Sequence, residues 1–254
     1  MIPSQRFEHP FLDSEPPPHR AVKVQTLEDA KAAKALLSSV IYWLDVRLTA
    51  DGQFLILDPE VVRTGLTPEA LGAEKWKGPN FYRYSENELR LIFPATLRLK
   101  DFLSDFPDQR MILNVIDNTE SVHTKLIELV EPFKADRRFL FQSDTDIILK
   151  SLKDQNPLWL YGSSRSDLMK ILTFESIGME AASPFRGDVF ISPFLIMNRD
   201  AFNEGVLREI HRRHKDIFIG PLVSANEFEK ARALNPEGFI FSSLELFKEL
   251  QDKF

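Results

Sequence analysis

The stretch VIYWLDVRLTADGQFLILDP occupies residues 40–59. Its first nine residues are β-branched, aromatic or aliphatic apart from Asp45 and Arg47, which predicts a strand over 40–48. Asp51-Gly52 makes a tight turn, and the apolar run 54–57 predicts a strand directly after it. A two-residue turn cannot carry the crossover that a parallel pair needs, so these two strands run antiparallel. Side chains alternate along a strand, so Trp43, Asp45 and Arg47 share one face. An indole, a carboxylate and a guanidinium on one face of an otherwise apolar strand mark the first candidate site.

On both sides of this stretch the pattern is strand then helix. Residues 21–24 predict a short strand, and Thr26 predicts the N-cap of a helix over 27–37, with Asp29 placing negative charge in its first turn. Downstream, strands are predicted at 111–116, 139–141, 158–161, 189–192, 217–219 and 238–241. Helices are predicted at 97–106, 120–132, 146–153, around 167–171, 199–215, 225–234 and 244–253. Apolar strands alternating with amphipathic helices imply a parallel sheet with helices outside it. The chain has 254 residues, the usual size of one (β/α) barrel, and no Gly/Ser-rich linker divides it. The expected fold is therefore an irregular TIM-type (β/α)8 barrel in a single domain covering residues 21–254. Residues 1–20 precede it as an extended arm ending in Pro16-Pro17-Pro18. Residues 67–93 interrupt the alternation with Trp76, Phe81, Tyr82 and Tyr84; a connection of this length is expected to be an insertion, over one end of the barrel or against the outer helices.

Composition narrows the function classes. A net charge of −6 argues against a general nucleic-acid binder, because phosphate backbones select basic surfaces. The absence of cysteine removes disulfides, thiolate metal sites and cysteine nucleophiles. No apolar run reaches the eighteen or so residues of a membrane span. The first twenty residues lack a signal peptide's apolar core, so the chain as it stands reads as cytoplasmic; removal of a signal would make it periplasmic or secreted. No P-loop, dinucleotide fingerprint or nucleophile elbow is present.

Several segments, in this order, resemble the glycerophosphodiester phosphodiesterase family. Residues 43–52 are similar to its E-L-D-V strand and K-D-G turn, and Leu57-Asp58-Pro59 with Arg63-Thr64 to its H-D-P and R-T. Thr26-Leu27 with Ala30, Pro94 to Leu103, Leu113-Asn114-Val115, Gln142-Ser143, Ser192-Pro193 and Gly238-Phe239-Ile240 are similar to later landmarks. The resemblance implies a phosphoric diester hydrolase of lipid metabolism, with a carboxylate-held divalent metal to neutralise the phosphoryl group and two histidines to carry protons.

On the same resemblance, most of that equipment is missing. Trp43 stands at the first carboxylate ligand, Leu57 at the histidine of H-D-P, Ile116 at the later glutamate and Asn118 at the lysine. Asp45 is the one matching metal ligand, so no metal or other cofactor is expected. His19-Arg20-Ala21 is similar to the H-R-G motif but lies about four residues too close to the first helix; His19 is the catalytic candidate, with His9 further upstream. Gly220 stands where many members carry tryptophan, which would enlarge a pocket there. The expected function is a non-catalytic binder or regulator of a small anionic or phosphodiester ligand, held by Arg20, Trp43, Asp45, Arg47 and Arg63. The alternative is an active phosphodiesterase hydrolysing glycerophosphodiesters through a rearranged Ca²⁺ or Mg²⁺ site that uses His19 or His9 with Asp45 and Asp117. A third reading is a structural protein whose surface carries the function.

Overall fold

The computed structural model describes residues 8–253. Eight parallel strands form the barrel: β1 His19–Lys23, β2 Ile41–Leu48, β3 Met111–Val115, β4 Phe139–Gln142, β5 Leu160–Tyr161, β6 Val189–Ser192, β7 Asp216–Leu222 and β8 Gly238–Phe241. Their order is β5-β4-β3-β2-β1-β8-β7-β6. The β5/β6 seam has no regular ladder. It is closed by the Asp188 amide donating to the Tyr161 carbonyl at 2.7 Å, while the Tyr161 amide donates to Asp188 Oδ2 at 3.2 Å.

Strand parity sorts the core into two shells. Ala21, Ile41, Trp43, Ile112, Leu140, Leu160, Val189, Ile191, Phe218 and Ile240 fill the barrel. Val22, Tyr42, Leu44, Leu113, Phe141 and Phe239 face outward onto the helices. The outer shell follows from helix amphipathicity, and individual caps fix the helix starts. Thr26 and Asp29 form a reciprocal capping box on the helix Leu27–Leu36, as the sequence predicts.

As expected, Phe54–Ile56 returns antiparallel to β2, with Val46 opposite Ile56. The segment around residues 67–93 builds its own apolar cluster from Leu55, Val62, Leu66, Phe81, Tyr84 and Leu89. It is tied to the turn after β2 by the Ala50 amide on the Tyr84 carbonyl at 2.8 Å and the Glu86 amide on Asp51 Oδ1 at 3.0 Å.

The N-terminal arm differs from an extended segment. Pro10–Asp13 is a short helix capped by His9, whose Nδ1 accepts from the Phe11 amide at 3.1 Å. Phe11 and Leu12 are buried with the barrel-filling residues and plug the end where the strands begin. Arg110 holds the plug, donating to the Phe11 carbonyl at 2.7 Å with its guanidinium 5.5 Å above the Phe11 ring. Burial of Phe11 and Leu12 removes apolar area from water and holds this helix against the barrel. The first strand also starts at His19, two residues before the predicted position. The part of the arm over residues 1–7 lies outside the described residues. One further boundary moves: of the helix predicted over 199–215, Arg199–Asp200 is the second strand of a small hairpin with Leu195–Ile196, and the helix itself runs Glu204–Arg212.

Candidate functional site

Inward-facing residues at the C-terminal ends of the strands surround a cavity of about 370 Å³, the end where barrels of this kind place their sites. Lys23 closes β1, Trp43 and Asp45 lie on β2, Asn114 and Val115 end β3, Gln142 ends β4 and Ser192 ends β6. Gly220 lines the wall beside them. Its φ is +146°, and a Cβ there would meet the Ile240 carbonyl oxygen at 2.3 Å, so no larger residue fits.

Asp45 is the hub. Its Oδ1 accepts from the Trp43 indole N–H at 2.9 Å and from the Asn114 amide at 2.7 Å. Its Oδ2 lies 2.6 Å from the Lys23 ammonium. The same ammonium touches Asp58 Oδ2, and Asp58 Oδ1 accepts from the Glu60 amide at 2.6 Å as the cap of the next helix. Burial pulls the Lys23 pKa down, but the charges and hydrogen bonds of Asp45 and Asp58 outweigh it, so the net direction is upward. Burial likewise pushes Asp58 up, and Lys23 with the backbone amides of Glu60 and Val61 brings it below the usual carboxylate range. The cluster sets one ammonium between two carboxylates.

Lys23 is the functional residue that sequence reasoning missed. The signal was available: His19, Ala21 and Lys23 share a face of β1, and Lys23 is three residues before the N-cap Thr26, hence at the mouth. The likeness of His19-Arg20-Ala21 to a histidine motif drew attention four residues too early.

The other expected site residues separate. His19 begins β1 at the opposite end, its ring tilted 35° against Phe218 at a centroid distance of 5.6 Å; four residues of strand put it roughly 13 Å from Lys23. His9 caps the plug helix at that same end, so neither histidine meets Asp45. Arg20 has the outward parity of Val22. Arg63 is exposed and paired with Glu60. Arg47 stays on the Asp45 face but is used: it makes a buried two-bond pair with Asp117, at 2.9 and 2.7 Å, with Phe81 of the insertion 4.9 Å from its guanidinium. The expected convergence of Arg20, Arg47 and Arg63 into a cationic mouth is therefore not formed, because strand parity, surface exposure and Asp117 each remove one of them. Leu57 turns to the apolar cluster of the insertion, whereas Trp43 and Ile116 line the cavity.

The residues present do not fit a divalent metal. Such an ion takes six or more oxygen ligands, several of them carboxylate. Trp43 and Ile116 offer none, Asp45 Oδ1 already accepts two hydrogen bonds, and Oδ2 faces an ammonium. Asp117, the substitute carboxylate, is bound at both oxygens by Arg47. The positive charge at this mouth is supplied by Lys23.

No protein-family model matches the chain, and no curated protein matches it significantly. Solved structures do. A glycerophosphodiester phosphodiesterase from Parabacteroides distasonis aligns with a TM-score of 0.64 at 11% identity, over 94% of this chain and 99% of that one. One from Agrobacterium tumefaciens gives 0.61 at 13% identity, over 90% and 98%. One from Thermotoga maritima gives 0.61 at 21% identity, over 89% and 91%. At such identities the likeness is one of fold. The single barrel expected from the sequence is therefore the fold these phosphodiesterases share, and the residues at its mouth are this chain's own.

Proposed function

We propose that this chain, a barrel with the glycerophosphodiester phosphodiesterase fold, binds a small ligand at its mouth without hydrolysing phosphodiesters. The observation that carries the proposal is Lys23 seated between Asp45 and Asp58. Hydrolysis of a phosphodiester needs charge neutralisation of the phosphoryl group and a proton donor for the leaving alkoxide. Here the one cation lining the mouth among the described residues, Lys23, already faces two carboxylates, and both candidate histidines are at the other end of the barrel. Asp45, Asp58 and Asp144 oppose the single charge of Lys23, so an incoming phosphodiester meets net negative charge. The cavity, by contrast, suits a small non-anionic molecule that donates hydrogen bonds to Asp144 and accepts from the second amide hydrogen of Asn114.

The test is an assay of glycerophosphocholine hydrolysis by chelator-treated protein, with and without millimolar Ca²⁺, Mg²⁺ or Mn²⁺. No turnover above buffer is expected under any condition. Metal-dependent turnover that is lost in Asp45→Asn would overturn the proposal in favour of an active phosphodiesterase.

A further inference from the structure

Beside the mouth runs a second cavity of about 500 Å³, lined by Pro193, Phe194, Leu195, Pro221 and Val223 together with the charged Asp200, Glu227 and Lys230. Pro193 and Pro221 line both cavities, so the apolar groove adjoins the polar mouth at these two prolines. Leu195 is 62% exposed and Val223 66% exposed, and Met197, at the tip of the adjoining hairpin, is 64% exposed. Met197 and its neighbour Asn198 hold φ of 49° and 61°, a left-handed turn that disfavours a methionine. The chain therefore accepts a strained turn there and presents apolar side chains to solvent on one rim of the mouth. Isolated exposed apolar residues need no explanation; a cluster contiguous with a polar pocket does.

We infer that the mouth takes a single-chain amphiphile, with a non-anionic hydroxyl-bearing head in the barrel and an aliphatic chain along the Pro193–Val223 groove. The inference rests on the ligand-binding reading above and adds the ligand's chemical class. The head is set by the polar lining of the mouth: the Asp144 carboxylate offers acceptor oxygens, and Lys23 is already matched by Asp45 and Asp58, so a phosphate gains no free countercharge from it. The chain is set by the groove's aliphatic and proline walls. The two prolines common to both cavities set the head and chain positions side by side, within reach of one molecule.

The experiment compares octyl glucoside, held below its micellar concentration, with glucose and with octyl phosphate, by calorimetric titration and thermal shift on the full chain. Burying three methylenes alone is worth roughly fifty-fold in affinity, so octyl glucoside should bind at least fifty-fold more tightly than glucose and octyl phosphate more weakly than octyl glucoside. The surface double variant Leu195→Ser/Val223→Ser should lose at least tenfold for octyl glucoside and leave the glucose response unchanged. Equal binding of glucose and octyl glucoside would overturn the groove assignment while leaving the mouth as a binding site. Equal or tighter binding of octyl phosphate would overturn the non-anionic head. Attachment to neutral phospholipid vesicles with no binding of the monomeric amphiphile would overturn the inference in favour of surface docking. Binding of none of the three would overturn it together with the reading on which it rests.

Discussion

Replacing Lys23 by methionine keeps the aliphatic stem and removes only the charge, which isolates what the ammonium does. In the native protein it touches Asp45 and Asp58, with side chains of Lys23, Asp45 and Asp58 that are 16%, 4% and 13% exposed. Removing one partner of a buried ion pair costs about 3–5 kcal/mol, and the residual exposure of Lys23 puts this case near about 3 kcal/mol. For a chain of this size that lowers Tm by about 6–12 °C. The pH dependence is more diagnostic than the magnitude. Asp58 is depressed in the native protein, so its contribution is complete above the unfolded carboxylate range and is lost as pH falls through its lower folded value. Lys23 is raised, so its contribution is complete below its unfolded value and is lost as pH rises through the folded one. Native stability should therefore be flat, as far as this cluster is concerned, from about pH 5 to 9. In Lys23→Met the desolvation of Asp58 is no longer offset by a cation, its pKa moves upward, and protonation becomes stabilising. The variant should gain stability between pH 7 and pH 5, where the native protein does not. Urea denaturation of both proteins at the two pH values measures this. A variant as stable as the native protein at pH 7, with the same pH profile, would refute the buried-cation reasoning.

Other regions give further expectations. Phe11→Ala opens a cavity at the plugged end, where Phe11 is fully buried, and should cost about 3–5 kcal/mol in denaturant titration. Gly162→Ala would place its Cβ 1.9 Å from Gln142 Oε1; Gln142 must then leave the Ser163 carbonyl it donates to at 2.9 Å, and a loss of about 1–3 kcal/mol is expected, partly restored by Gln142→Ala. Arg47→Ala strips Asp117 of its partner and Phe81 of its covering guanidinium, so amide exchange should accelerate in residues 81–90 before the barrel strands. Arg63→Ala, by contrast, removes only an exposed pair with Glu60 and should leave Tm unchanged.

The barrel was legible because its signals are periodic and local. The apolar strands, the Thr26 cap and the Asp51-Gly52 turn are each dictated by neighbouring residues, and each appears within a residue or two of its expected place. Parity along β2 likewise put Trp43, Asp45 and Arg47 on one face, where the structure finds them. What was not legible depends on contacts distant in sequence. Arg47 seemed available for an anion because Asp117, seventy residues away, could not be placed against it. Residues 1–20 read as extended because the burial of Phe11 and Leu12 needs the open end of a barrel that local sequence does not show. The hairpin at 195–200 was not read, and the helix after it was started at 199, because the hairpin's turn rests on positive φ at Met197 and Asn198, residues that carry no glycine signal. Lys23 was hidden by a likeness of sequence at His19, and only the strand's start, fixed by pairing of His19 with Gly238, assigns each residue its depth.

The claim that an ammonium takes the place of a metal is tested most directly by calorimetric titration of Ca²⁺, Mg²⁺ and Mn²⁺ into chelator-treated native protein. With Lys23 held between Asp45 and Asp58, no saturable heat is predicted up to millimolar ion. Stoichiometric binding in the micromolar range that disappears in Asp45→Asn would contradict the account.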